Sequence, residues 1–262
     1  MENADLKYQQ LQQEFDDYKK EQERFVHIVV HDLDSPLRKL STFVDRFVQK
    51  TKTVEDPQLI DYIRRMENSI NDLRSLIDAL QHLSNVGMDH FEVGKCDLNK
   101  IIRSAIDLSE NELAGKNVSF EINELPVLKG NKNQYLLLFK NLFDNSIKFS
   151  RSETPLKITV AGEPVMEKEK NSMHLQLQTN YFRLVVTDNG IGFKHSHNED
   201  IFKPFFRLHS KSEIPGNGLG LSICKKIVEN HNGLIFAEPL ENSGARFVLI
   251  LPESPQEYAT PK

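Results

Sequence analysis

Near residue 95 the period of the apolar residues changes, and that change constrains the fold more than anything else in the sequence. Before residue 90 glycine is confined to Gly87, and apolar side chains recur in alternating steps of three and four. Tyr8, Leu11, Phe15, Tyr18, Gln22, Phe25 and Val29 trace the seam of a coiled coil. The seam then slips by one residue and resumes as Val30, Leu33, Leu37, Leu40, Val44 and Phe47, a slip that local over- or underwinding must absorb. After the polar stretch KTKTVED, Asp56 suits an N-cap and Pro57 the first position of a second helix. There Ile63, Met66, Ile70, Leu73, Ile77 and Leu80 repeat the three-four spacing. Two long amphipathic helices joined by a short loop make an all-α hairpin. Each stripe is too wide for one partner helix, so two hairpins are expected to pair into a dimeric four-helix bundle.

From about residue 95 glycines appear, and strand-like runs alternate with helical segments. VSFEI at 118, LKITV at 156, FRLVV at 182 and RFVLIL at 246 read as strands, and 97–114, 131–150 and 219–232 as helices. The alternation predicts an α/β sandwich, one mixed sheet covered by helices, so the chain as a whole is multidomain. The stretch EPVMEKEKNSMHLQ at 163–176 is expected to form a long hairpin or an excursion at the sheet edge.

Composition narrows the function classes. Hydrophobic residues make up 39% and charged residues 27%, enough for a globular core. A net charge of −5 without a long basic run argues against nucleic acid as the main partner. No apolar run approaches the roughly 18 residues of a membrane span, since YLLLF at 135 and RFVLIL at 246 are core-sized. The polar opening MENADLKYQQ is read as carrying no secretory leader, and Cys96 and Cys224, far apart, as reduced thiols. The expected location is cytoplasmic, either alone or as the cytoplasmic part of a longer sensor.

Four stretches carry chemistry. In HDLDSPLR, His31 falls off the resumed seam toward solvent, and Asp32 follows on the neighbouring face. Pro36 removes the hydrogen bond that its position would give to the Asp32 carbonyl, and bends the helix there. Alone, this is an exposed His–Asp pair on a coiled coil. In NLFDNSIKFS, Asn141, Asn145 and Lys148 fall at i, i+4 and i+7, with Leu142, Phe143 and Ile147 opposite. Amide oxygens suit Mg²⁺ and a lysine suits phosphate; the alternative is a solvated surface face. In DNGIGF, after a strand, Asp188 can accept from an exocyclic amine such as that of adenine, and Gly190 and Gly192 let backbone pass close to a flat ring. An ordinary Asn-Gly turn would read the same. In GNGLGL, Gly216, Gly218 and Gly220 allow N–H groups to converge on phosphate at a helix N-terminus. No G-K-[ST] follows and no strand precedes, so it is neither a P-loop nor a Rossmann fingerprint.

Jointly and in this order, with IFKPFFRLHS between the last two, these stretches resemble the sensor histidine kinases of two-component systems, whose nucleotide fold is shared with DNA gyrase. HDLDSPLR resembles the phosphoacceptor box, NLFDNSIKF the asparagine box, DNGIGF and GNGLGL the glycine boxes, and Phe202, Phe205 and Phe206 the phenylalanine box. SGARF at 243–247 resembles the last glycine turn, and the wording is most similar to phytochrome-type kinases. The resemblance covers essentially the whole chain. It implies a coiled-coil signalling helix over 1–24, a dimerisation and histidine phosphotransfer domain over 25–90, a catalytic ATP-binding domain over 95–253 and a tail over 254–262.

The resemblance further implies ATP-dependent autophosphorylation of His31, with Asp32 fixing its tautomer, and transfer of the phosphoryl group to an aspartate on a response regulator receiver domain. Asn145 with Asn141 would hold Mg²⁺, Lys148 would contact phosphate, Phe149 would wall the site and Asp188 would read adenine. Gly190, Gly192, Phe206, Gly216, Gly218, Leu219 and Gly220 would complete the ATP site. Residues 193–217 would form a lid carrying Arg207 and Lys211 toward the phosphates, and Pro36 would act as a hinge. The expected partners are a second copy of the chain, the response regulator and an upstream sensor module not present in this chain. One departure is Ser35, where the family often has Thr or Asn to position water for dephosphorylation. Rival readings are an ATP-binding dimeric scaffold or phosphotransfer regulator without kinase activity, a gyrase- or chaperone-like ATPase, and a protein-serine kinase.

Overall fold

A computed structural model describes residues 33, 37–48, 57–88, 93–109, 113, 115–210, 214, 216–240 and 244–254. The chain divides into two units, Met1–Asp89 and His90–Lys262. His31, Asp32, Ser35, Pro36 and Lys211 lie outside the described residues.

In the first unit, α1 covers 37–48 and α2 covers Pro57–Met88, with Pro57 opening the second helix where its fixed φ suits a first turn. Leu37, Ile70 and Ile77 form a buried cluster, and Val44 and Leu80 pack against it. Among the described residues, much of the rest of the three-four spacing stands exposed. Leu33, Leu40, Phe47, Met66 and Leu73 stand 41–52% exposed, and Phe43, Ile60 and Tyr62 more so. One helix pair buries a single stripe, and the remainder of each stripe faces outward.

The second unit is built on a five-stranded mixed sheet. Its strands are β2 (Val118–Ile122), β4 (Leu156–Pro164), β5 (Tyr181–Asp188), β6 (Leu234–Pro239) and β7 (Ala245–Pro252), in the order β2-β4-β5-β7-β6. Only β2 and β4 run parallel; the other pairs are antiparallel. The register aligns Ile122, Val160, Val186, Phe247 and Ala237 across all five strands. The last four of that row are at most 4% exposed, and they form the floor of the core. Helices α3 (Leu98–Leu108), α4 (Lys132–Lys148) and α6 (Gly220–Asn230) complete this core with Ile101, Ile102, Leu138, Phe139, Leu142, Phe143, Ile223 and Ile227.

The 163–176 stretch, expected as a hairpin or edge excursion, connects antiparallel β4 and β5 through the short helix α5 (Glu167–Ser172). Val165, Met173 and Leu175 pack there with Tyr181, Val185, Leu234, Val248 and Ile250. Arg183 on β5 bridges Glu163 and Glu169 and ties the excursion down. Two features went unread in the sequence. Four-residue β1 (Gly94–Asp97) and β3 (Val127–Gly130) pair with each other in a separate two-stranded sheet, and β6 joins the main sheet edge. GKCD and VLKG carry no alternation long enough to read, so only their mutual pairing defines them.

Candidate functional site

The site begins with α4. Asn131 caps it by accepting from the Asn133 and Gln134 N–H groups at 3.0 and 3.1 Å. Tyr135, Leu138, Phe139, Leu142, Phe143 and Ile147 bury one side of the helix. That leaves Asn141, Asn145 and Lys148 half-buried near its C-terminal end, where the sequence spacing placed them together. Asn141 Nδ2 donates to Leu137 O at 2.9 Å, so its amide nitrogen is committed and its oxygen is free to accept. The Asn145 side chain makes no hydrogen bond among the described residues.

Strand β5 supplies the acid. Side chains alternate along a strand, so Asp188 shares its face with the buried Leu184 and Val186 and projects under α4. Its Oδ1 accepts from Gly190 N at 2.9 Å and Ala245 N at 3.2 Å, and its Oδ2 from Ser146 Oγ at 3.0 Å. Burial pushes the Asp188 carboxyl up from the ordinary carboxylate range, and these hydrogen bonds pull it back. Ser146 was not singled out in the sequence. The signal was present, because a hydroxyl on the apolar stripe of an amphipathic helix needs a buried partner.

The glycines are fixed by close backbone approach. A side chain at Gly190 would stand 2.5 Å from Phe149 O, and one at Gly244 would stand 2.1 Å from Asp188 O. Gly192, at φ +69°, would meet Gly244 O at 2.6 Å. The DNGIGF loop is thus clamped between the end of α4 and the start of β7. Ile191 N donates to Phe149 O at 2.9 Å, and Arg151 Nε to Gly190 O at 3.2 Å.

The third segment closes the site from the other side. Gly216 has φ +146°, and a side chain there would fall 2.0 Å from Lys148 Nζ. A side chain at Gly220 would lie 3.3 Å from Asn141 Oδ1. Gly218, at φ +72°, packs on the backbone of Phe205 and Phe206 and accepts from Phe205 N at 3.0 Å. Helix α6 starts at Gly220 directly after Leu219 with no side-chain cap, while the Leu219 N–H itself donates to Asn217 Oδ1 at 3.0 Å.

Between these segments run two short 3₁₀ turns, His195–His197 and Asp200–Phe202. Phe202 is buried; Phe205 is exposed at φ +63°, and Phe206 lies 5.9 Å from the His197 ring. Arg207 Nη2 donates to Ile214 O at 2.6 Å. The Phe149 ring lies 5.1 Å from Lys148 Nζ and 6.0 Å from the His209 ring. Burial, and then the Arg207 charge, lower the Lys148 pKa. No carboxylate pairs with Lys148 or Arg207 among the described residues.

The described fold therefore gathers Asn141, Lys148, Phe149, Asp188, Gly190, Gly192, Arg207, Gly216, Gly218, Leu219 and Gly220 from four chain segments. Chemically it offers one buried acid, two cations without a counter-charge, free amide oxygens and an uncapped helix start. Uncommitted amide oxygens on Asn141 and Asn145 are hard donors of the kind Mg²⁺ takes.

Residues 130–255 match the family described as histidine kinase-, DNA gyrase B- and HSP90-like ATPase. Over 229 residues the chain is 28% identical to the phytochrome-like protein Cph1 of Synechocystis, covering 87% of this chain and 29% of that protein. Among solved structures, full-length ShkA in complex with AMPPNP aligns with a TM-score of 0.63 at 18% identity, over 87% of this chain and 45% of that one. Histidine kinase ThkA in complex with the response regulator protein TrrA aligns with a TM-score of 0.56 at 25% identity, over 86% and 61%. No described helix is long and apolar enough to cross a membrane.

Proposed function

We propose that this chain, whose residues 130–255 belong to the histidine kinase-, DNA gyrase B- and HSP90-like ATPase family and which is related to sensor histidine kinases along most of its length, is an ATP-dependent protein-histidine kinase. The observation that carries this reading is the junction of separate segments: Lys148 Nζ against Gly216, Asn141 Oδ1 beside Gly220, and Asp188 beneath α4. An adenine amine would donate to Asp188 Oδ2, with Phe149, Phe206 and Leu219 walling the base and Gly190 and Gly192 giving it room. The phosphates would meet Lys148, Arg207, Lys211 and the N–H groups of Gly216, Gly218 and Gly220. Asn145 and Asn141 would hold Mg²⁺, which neutralises charge developing on the phosphates.

His31 is the acceptor in this reading. Asp32 accepts from Nδ1–H and leaves the Nε2 lone pair to attack the γ-phosphorus. The new P–N bond forms as the bond to the bridging oxygen breaks, and that electron pair leaves with ADP. Pro36 serves as the hinge that lets His31 be presented, and Ser35 is the candidate for positioning water in the reverse, dephosphorylating direction. The phosphoryl group then passes to an aspartate of a response regulator; the similar kinase ThkA forms a complex with the response regulator protein TrrA, which supports such a partner. The exposed Leu40, Phe43, Ile60, Met66 and Leu73 support a homodimeric four-helix bundle. Domain limits of 1–24, 25–90, 95–253 and 254–262 go with this reading, as does a cytoplasmic site of action. The input comes from a sensor module outside these residues; the chain spans 29% of the phytochrome relative.

The test is incubation with γ-labelled ATP and Mg²⁺, for wild type beside His31→Gln. Acid-labile, alkali-stable label present only in the wild type is the expected result. Label persisting in the variant would move the acceptor elsewhere. Nucleotide binding without any label would favour the non-catalytic scaffold.

A further inference from the structure

We propose that Ser146 is a positioning residue for Asp188, and that its hydroxyl sets the preference of the site for a purine bearing an exocyclic amine. This rests on the nucleotide site described above. A carboxylate offers about four lone-pair positions. On Asp188, Oδ1 has both filled by Gly190 N at 2.9 Å and Ala245 N at 3.2 Å. Oδ2 has one filled by Ser146 Oγ at 3.0 Å, which leaves one for a ligand.

Ser146 does not share the polar face of α4. It sits on the buried stripe, one turn beyond Leu142, and is 1% exposed. Packing alone would be satisfied there by an apolar residue of similar size. Its hydroxyl has one proton and two acceptors in reach, Asp188 Oδ2 and Leu142 O, the latter at 3.1 Å. The ionised carboxylate is the stronger acceptor and takes the proton. When Asp188 is protonated, the hydroxyl can turn to Leu142 O and accept from the acid instead. Ser146 therefore favours the ionised carboxylate, aligned so that its remaining lone pair faces an amine. Without it, Oδ2 would be buried and underpaired, and the acid would hold its proton to higher pH. A protonated carboxyl can donate, which suits a 6-oxo edge and not a 6-amino one.

The groups meeting this carboxyl are the Ser146 hydroxyl from α4, Gly190 N–H from the loop after β5 and Ala245 N–H from β7. Arg151, on Gly190 O, is the cation bound to that loop. No ionised side chain contributes to the titration of Asp188 among the described residues.

The experiment is calorimetric titration of the full chain with ADP and with inosine diphosphate across the acid-to-neutral range. It compares wild type, Ser146→Ala, Asp188→Asn and the double variant, with melting midpoints as the check on folding. We expect Ser146→Ala to weaken ADP about tenfold, in line with one charge-assisted hydrogen bond, and to leave inosine diphosphate unchanged or tighter. The pH needed for full ADP binding should move upward, and in the Asp188→Asn background the serine change should no longer alter the ADP-to-inosine ratio. An unchanged ratio and pH profile would overturn the inference. So would an equal loss for both nucleotides, which marks packing alone. Wild type binding both equally would overturn it while sparing the kinase reading, and wild type binding neither would remove both.

Discussion

His231 shows what burial does to a single ionisable group. It is 0% exposed and stacks on Tyr135 with ring centroids 4.2 Å apart. Nδ1–H donates to Ile227 O at 2.8 Å, and Nε2 accepts from Asn131 N at 3.1 Å, which fixes the neutral tautomer. Burial lowers its pKa from 6.5 to about 4. The unfolded chain therefore binds a proton that the folded one refuses, and stability falls as pH drops from 6.5 toward 4. The loss should approach about 3 kcal/mol at the acid end, by the usual conversion of a pKa shift. Urea unfolding at neutral pH and near pH 4.5 should show a smaller acid loss for His231→Phe, which keeps the stack, than for wild type. Equal losses would remove His231 from the account. A second residue-scale expectation concerns Gly216, whose φ of +146° excludes an ordinary side chain and whose Cα faces Lys148 Nζ. Gly216→Ala should displace the lysine and weaken ADP about tenfold while leaving adenosine binding alone. Calorimetry with both ligands separates that outcome from a general loss of fold.

At the scale of elements, the clamp between β5 and β7 is held by backbone-to-backbone contact. Gly244, at φ +110°, lies where a Cβ would come within 2.1 Å of Asp188 O, and backbone cannot yield as a long side chain can. Gly244→Ala should cost about 1–3 kcal/mol in unfolding free energy and should weaken nucleotide binding as well, since the shift falls on Asp188. A thermal melt unchanged from wild type would show that the joint has slack. Helix α4 carries two functions on two faces, because a 3.6-residue period can bury Leu142 and Ser146 while presenting Asn141 and Lys148. Helix α6 contributes through its start. Its first turn lacks a side-chain cap, and Gly216 and Gly218 before it take positive φ angles that an ordinary side chain would strain.

At the scale of the molecule, the helical unit and the α/β unit face different problems. The α/β unit closes its own core around the five-stranded sheet. The helical unit leaves Leu40, Phe43, Ile60, Met66 and Leu73 each more than 40% exposed, a pattern that a second copy would cover. Met66→Glu combined with Leu73→Glu should convert a dimer into a monomer at micromolar concentration in sedimentation. A wild-type chain that sediments as a monomer would refute the bundle.

The sequence by itself determined the change of period, the helices of both units except the short α5, four of the five main strands and the residues worth asking about. Those features rest on local spacing: three and four for helices, two for strands, glycine where backbone must come close. The tertiary structure decided which of these residues meet. Lys148 and Gly216 are far apart in the chain, and only the packing of α4 against α6 brings them together. It also decided the partner of Ser146, whose hydroxyl meets a carboxylate only because β5 places Asp188 beneath it. Contacts of that kind depend on strand register and helix packing, which no local period encodes.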